Sequence, residues 1–211
     1  MSRSNIVILT NPNDKRHRTA LYGAHLSQAL GANAVLIHIE KGKELSLLSR
    51  LYPEFEEKTK ELTKLVSDAA KSELEEQKKF LSEKGLYVQT KSIQAENIEE
   101  ILESLSKLDP KMIIVPREES DILDFFLGNM VEQMIRRSPF PVLVHSGNEF
   151  KSVKKIITPV ALQGLSETSL EMSIKLAIAF KSQIDLYHIN SDQNKVGSNS
   201  LLDLASDEKE K

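Results

Sequence analysis

The segment GNMVEQMIRRSPFPVLVHS, Gly128 to Ser146, opens on a glycine, passes through a helical pattern with a double arginine and closes on a strand. A glycine at the start of a helix lets backbone N–H groups approach an anion, and the helix end favours negative charge there. The same glycine can equally serve only to turn the chain. Preceding it, VPREESDILDFFL holds Glu118, Glu119, Asp121 and Asp124 against the single Arg117. That run lacks the alternating oxygen ligands of a calcium loop, and capping of the following helix from Asp121 is the simpler role. Five histidines, His17, His25, His38, His145 and His188, show no metal-binding spacing. Three of them, His38, His145 and His188, stand at strand ends and read as structural. Arg136 and Arg137 lie near a helix C-terminus, where cations are favoured by the dipole; anion binding is their other role. Neither a Walker-type G-x4-G-K-[ST] nor a G-x-S-x-G elbow occurs.

With 211 residues and a net charge of −3, the chain has room for one or two domains and no basic field for nucleic acid. It has no cysteine, which removes disulfides, thiol chemistry and Cys-based zinc sites. The N-terminal apolar run is too short for a signal or a membrane span, so a cytoplasmic protein with no membrane partner is expected.

Short β-branched runs at Ile6–Leu9, Ala34–Ile39, Met112–Val115 and Val142–Val144 read as strands covered on both faces, with Tyr87–Gln89 a weaker candidate. Between them, helical patterns cover Arg18–Leu30, Glu54–Leu81, Ile98–Leu105 and Asp124–Ile135. Gly31 is placed as the C-cap of the first. In the second, Phe55, Leu62, Leu65, Val66, Ala69, Leu74, Phe80 and Leu81 form one apolar stripe, between Pro53 and Gly85. The alternation predicts an α/β fold with a parallel sheet and helices on both faces. Ligands of such sheets sit at the carboxyl ends of strands, here after Leu9, after Ile39, and from Val115 to Gly128.

Shifted by 150 residues, the stretch from Asn5 to Glu40 meets Lys155 to Asn190 without a gap, and Leu36-x-His38-Ile39 meets Leu186-x-His188-Ile189. The expected organisation is a complete domain over 1–146, a linker over 147–153, a partial βαβ repeat over 154–190 and a polar, disordered tail over 191–211, with a short helical turn at Leu201 to Ala205. Half a sheet leaves strand edges and one face open. The first domain, another copy of the chain or a further segment would have to cover them.

Three stretches carry a resemblance to the universal stress protein family: ALYGAHLSQALGANAVLIHIE, the long acidic second helix, and GNMVEQMIRRSPFPVLVHS, of which RRSPFPVLVHS is the most specific piece. The likeness spans about residues 4 to 146. It implies a five-stranded parallel sheet of flavodoxin-like or nucleotide-hydrolase-like order, dimers through the last strand (Val142, Leu143, Val144) and, in one branch, ATP binding. That branch places an acid at the end of the first strand, backbone at the end of the second strand against adenine, and a G-x2-G-x9-G-[ST] loop around the phosphates.

Carried over by position, the last glycine of the loop is Gly128 and the hydroxyl position holds Asn129. The middle glycine falls on Glu118 and the first on Val115, with Pro116 between them. The acid of the first strand falls on Asn11, and on Ala161 in the repeat; a slip of register brings Asn13 or Asp14 nearer. The adenine contact falls on Ile39. The motif is thus degraded, no cofactor is expected, and ATP or AMP is the ligand if the cleft works. The expected function is a non-enzymatic stress-response protein acting through dimerisation and an unknown protein partner. The alternatives are a nucleotide-binding sensor or weak ATPase with altered contacts, and an assembly module in which the half-sheet after Lys151 mediates self-association; truncation at Phe150 would then give a smaller species.

Overall fold

The structure, a computed structural model, describes residues 4–10, 14, 16–40, 56–117, 128–149, 151–160 and 167–188. The expectations for Asn11, Asn13, Glu118, Glu119, Asp121, Asp124, Ala161 and the tail lie outside these residues. The chain divides into two compact units, Met1–Phe150 and Lys151–Lys211.

The first unit runs β1 (Asn5–Leu9), α1 (Arg18–Ala29), β2 (Asn33–Glu40), α2 (Glu56–Glu83), β3 (Val88–Gln94), α3 (Ile98–Ser106), β4 (Pro110–Pro116), α4 (Gly128–Arg137) and β5 (Val142–His145). The strands form one parallel sheet in the order β3-β2-β1-β4-β5. Strand residues alternate between faces, and both faces of the central strands are dry, as their unbroken apolar runs require. Val7, Leu9, Val35, Ile37, Ile113 and Val115 pack under Ile98, Ile101 and Leu105 of α3 and Met134 of α4. On the opposite face α1 comes so close that a Cβ on Gly23 would lie 2.5 Å from Ile8 Cδ1 and 3.2 Å from Ile114 Cδ1. Glycine lets helix and sheet approach at that point.

Local chemistry fixes the ends. Leu30 is the C-cap of α1, and Gly31 follows it at φ 64, the left-handed position where glycine carries no penalty. Asn97 caps α3 by accepting from the Glu100 N–H at 2.9 Å, while the Glu100 carboxylate reaches back to the Glu96 N–H at 2.8 Å. The C-cap of α1 thus falls one residue before the expected Gly31, and two further expectations differ from the structure. The weak strand extends from Val88 to Gln94 and alternates in exposure, because it is an edge strand of polar and apolar residues in turn. The apolar stripe of α2 is buried only in its second half: Leu74 and Leu81 are covered, whereas Leu62, Leu65 and Val66 are exposed.

The second unit contains β6 (Lys155–Val160), α5 (Glu167–Phe180) and β7 (Gln183–His188), two parallel strands and the helix that joins them. Its geometry follows that of β1-α1-β2 at a distance of 150 residues. Asn5 pairs with Asn33 and Lys155 with Gln183; Leu9 pairs with Ile37 and Pro159 with Tyr187. The Asn33 N–H donates to Ser4 O at 3.0 Å and the Gln183 N–H to Lys154 O at 2.9 Å. The Ala32 N–H donates to Ser27 O and the Ser182 N–H to Ala177 O, both at 2.9 Å. Gly31 and Lys181 each have positive φ, 64 and 55. The faces differ. Val7 is fully buried, but Ile157 at the matching position is 62 % exposed, and Lys155 pairs with Asp185 at 2.5 Å where the first unit has Asn5 and Val35.

Candidate functional site

In a parallel sheet the strand order reverses direction where neighbouring connections leave to opposite sides, and the crevice there is the expected site. Here it lies between the carboxyl ends of β1 and β4. At the end of β1, Thr10 directs both its N–H (2.9 Å) and its hydroxyl (3.2 Å) to Ile37 O, closing the edge toward β2. At the end of β2, Ile39 packs against the same core that contains Val115, as do Met130 and Val131 of α4. Three of the sequence-derived positions, Ile39, Val115 and the helix opened by Gly128, thus border one core. The Val115 side chain is fully buried in the core, so only its backbone is placed for recognition.

β4 ends in Pro116, which pairs with His145 of β5. Proline has no N–H. The next amide, Arg117 N–H, donates to His145 O at 2.7 Å. Two successive positions after Val115 therefore have no amide to offer to an anion.

Asp14 has a role that spacing does not suggest. The N-cap position of α1 is His17, in a left-handed conformation and with no side-chain cap. The Asp14 carboxylate takes over that task. One oxygen accepts from the Thr19 N–H at 3.2 Å, and the other from Arg18 Nε at 3.3 Å. A carboxylate at a helix N-terminus is stabilised by the dipole. Both oxygens are engaged within the protein.

His145 is buried at the end of β5. Its Nδ1 lies 3.0 Å from Thr19 Oγ1, and its ring stacks on Tyr22 with centroids 4.7 Å apart. Burial holds its pKa below 6.5, as does the Arg18 charge; a backbone hydrogen bond at Asn148 and the Asp14 carboxylate act the other way. His38 is also held low by burial, against the opposing pull of Glu40. A histidine whose folded pKa is depressed adds stability above its unfolded pKa and loses it as pH falls through the folded value. Unfolding free energy is therefore expected to decline as pH drops below about 6.5, less steeply in His145→Gln; a pH series of urea titrations that is flat between pH 7 and 5 would exclude this.

Arg136, Arg137 and His188 have internal partners, whereas the buried His17 Nδ1 makes no hydrogen bond. Arg136 pairs with Glu132 at 2.9 Å and Arg137 with Glu99. His188 Nδ1 sits 3.0 Å from Val160 O. His17 is buried against Phe80 and lies 3.5 Å from Glu73. Glu40, which no motif singles out, accepts from Ser67 at 3.2 Å and Gln94 at 3.4 Å, tying the end of β2 to α2 and β3. Among the described residues no group of three or more His, Cys, Asp or Glu could hold a metal ion, and no helix is long and apolar enough to cross a membrane.

The fold has many solved counterparts. A universal stress protein from Archaeoglobus fulgidus DSM 4304 aligns over 99 % of this chain and 72 % of its own, with TM-score 0.57 and 14 % identity. A functionally unknown protein from Pseudomonas aeruginosa PAO1 aligns over 87 % and 60 %, with TM-score 0.52 and 16 % identity. The universal stress protein UspA from Lactobacillus plantarum aligns over 69 % and 99 %, with TM-score 0.51 and 13 % identity. At such identities the likeness is one of fold. No curated protein matches the chain. The sequence pattern of the Universal stress protein family matches residues 2–145, so the chain belongs to the universal stress protein family.

Proposed function

We propose that this chain is a non-enzymatic, cytoplasmic stress-response protein whose ATP site is degraded and which acts through dimerisation and a protein partner. The observation that carries this reading is the end of β4. The family's phosphate loop needs backbone donors just after that strand, and here Pro116 has none while Arg117 has given its own to His145 O. The sequence that follows adds Glu118, Glu119, Asp121 and Asp124. Two unit charges 4 Å apart interact by about 1–4 kcal/mol for dielectrics between water and a protein surface, so such carboxylates would repel a triphosphate. Asp14, near the position of the family's nucleoside-binding acid, has both oxygens committed to α1.

The dimer reading rests on β5, which among the described residues is an edge strand paired only with β4, and whose Val144 is 37 % exposed. Its test is the solution mass of a Val144→Lys chain. We also take residues 154–190 as a partial second copy of the domain, after a linker over 147–153, on the strength of the matched registers.

Thermal unfolding with ATP and with AMP, each with and without magnesium, tests the site. A ligand at about a hundred times its dissociation constant would stabilise the fold by about 2.7 kcal/mol. No shift is expected. A clear shift with either nucleotide would make the chain a nucleotide sensor instead, and its rate of ATP hydrolysis would then separate sensor from weak ATPase.

A further inference from the structure

A second concave surface lies at the opposite edge of the sheet, where β2 and β3 begin. It is an open groove of about 420 Å³ between the end of α1 and the turn that joins α2 to β3. Its size is within the usual range for a small-molecule site. Gly31 and Gly85 form parts of its floor, both at positive φ and both with nothing within 4 Å of where a Cβ would stand. The side chains around it include Gln28, Gln89 and Tyr87, and none of the lining residues is charged. Tyr87 is 86 % exposed, the most exposed of the large apolar or aromatic side chains among the described residues. Among the described residues, Gln28, Gln89 and Tyr87 make no side-chain hydrogen bond to the protein.

We propose that this groove binds a neutral saccharide. The electrostatics narrow the ligand from both sides. α1 and α2 both end here, and the last carbonyls of a helix carry partial negative charge. No basic residue lies in the last turn of either helix. Anions are disfavoured on that account. Lys84 adjoins Gly85, its ammonium held 4.8 Å above the Phe80 ring, and opposes a cation. What fits is an uncharged molecule rich in hydroxyls. Two free carboxamides can each donate to one hydroxyl and accept from the next. The Tyr87 ring gives the flat apolar surface on which the C–H face of a pyranose can rest. The groove is shallow and open, so the affinity belongs in the millimolar range, about −4 kcal/mol. The nucleotide reading of the opposite edge plays no part in this argument.

Saturation-transfer NMR on the full chain with maltose as probe tests the proposal. Transfer from protein to the C–H protons of the sugar is expected with the native chain. Tyr87→Ala should weaken binding roughly three- to tenfold, and Gln89→Ala should weaken it also. Far-UV circular dichroism of both variants serves as the fold control, and at this exposure neither is expected to change. No transfer with the native chain, or equal transfer with Tyr87→Ala, overturns the proposal.

Discussion

Replacing Ile113 by alanine is expected to lower the free energy of unfolding by about 2–5 kcal/mol, the range for deleting a large aliphatic side chain from a close-packed core. Ile113 is fully buried, paired between Val7 of β1 and Val142 of β5, and sits in the cluster roofed by Leu105 and Met134. Strands clamp it on two sides and helices above, so neighbours cannot close the cavity without moving the sheet. Total stabilities of about 5–15 kcal/mol make this a large fraction of the whole. Urea unfolding of the native and variant chains gives the number. Ile157→Ala is the matched control: 62 % exposed in β6, it should shift the same curve by less than about 0.5 kcal/mol. Equal losses at the two positions would contradict the assignment of buried and open faces.

The second large effect is on assembly. If β5 carries the proposed dimer, Val144→Lys should halve the molar mass seen by light scattering at micromolar concentration. A lysine ammonium on an edge strand is strongly hydrated and resists burial against a second strand. Val144 is already 37 % exposed in the isolated chain, so the fold should survive the change. A native chain that is monomeric at the same concentration, or a variant that remains dimeric, would remove β5 as the interface.

Much of the fold is legible from residue patterns, for a physical reason. β1 and β4 are buried on both faces, and their continuous apolar runs report it. β3 is harder to see, since Gln89, Lys91 and Gln94 of this edge strand face solvent and dilute the signal. The stripe on α2 is visible in sequence, but periodicity cannot tell which part of a long helix has something to pack against. Leu62 and Leu65 look the same as Leu74 and Leu81 until the sheet is in place.

The site divides in the same way. Pro116 and the acids after it can be read directly. The use of the Arg117 amide cannot, because a backbone bond to His145 depends on how β4 and β5 are paired. Thr19 and His145 are 126 residues apart in the chain and meet only in the folded state. Asp14 is five residues before the amide it caps, beyond the spacing by which a helix start is ordinarily read.

The bend that follows each of the two matched helices has one further consequence. At residue 31 it is made by glycine, at residue 181 by lysine, with nearly the same backbone angle. A left-handed lysine costs about 1 kcal/mol more than glycine, and it is carried by the second unit. Of the two matched bends, the one at Lys181 therefore holds the more backbone strain.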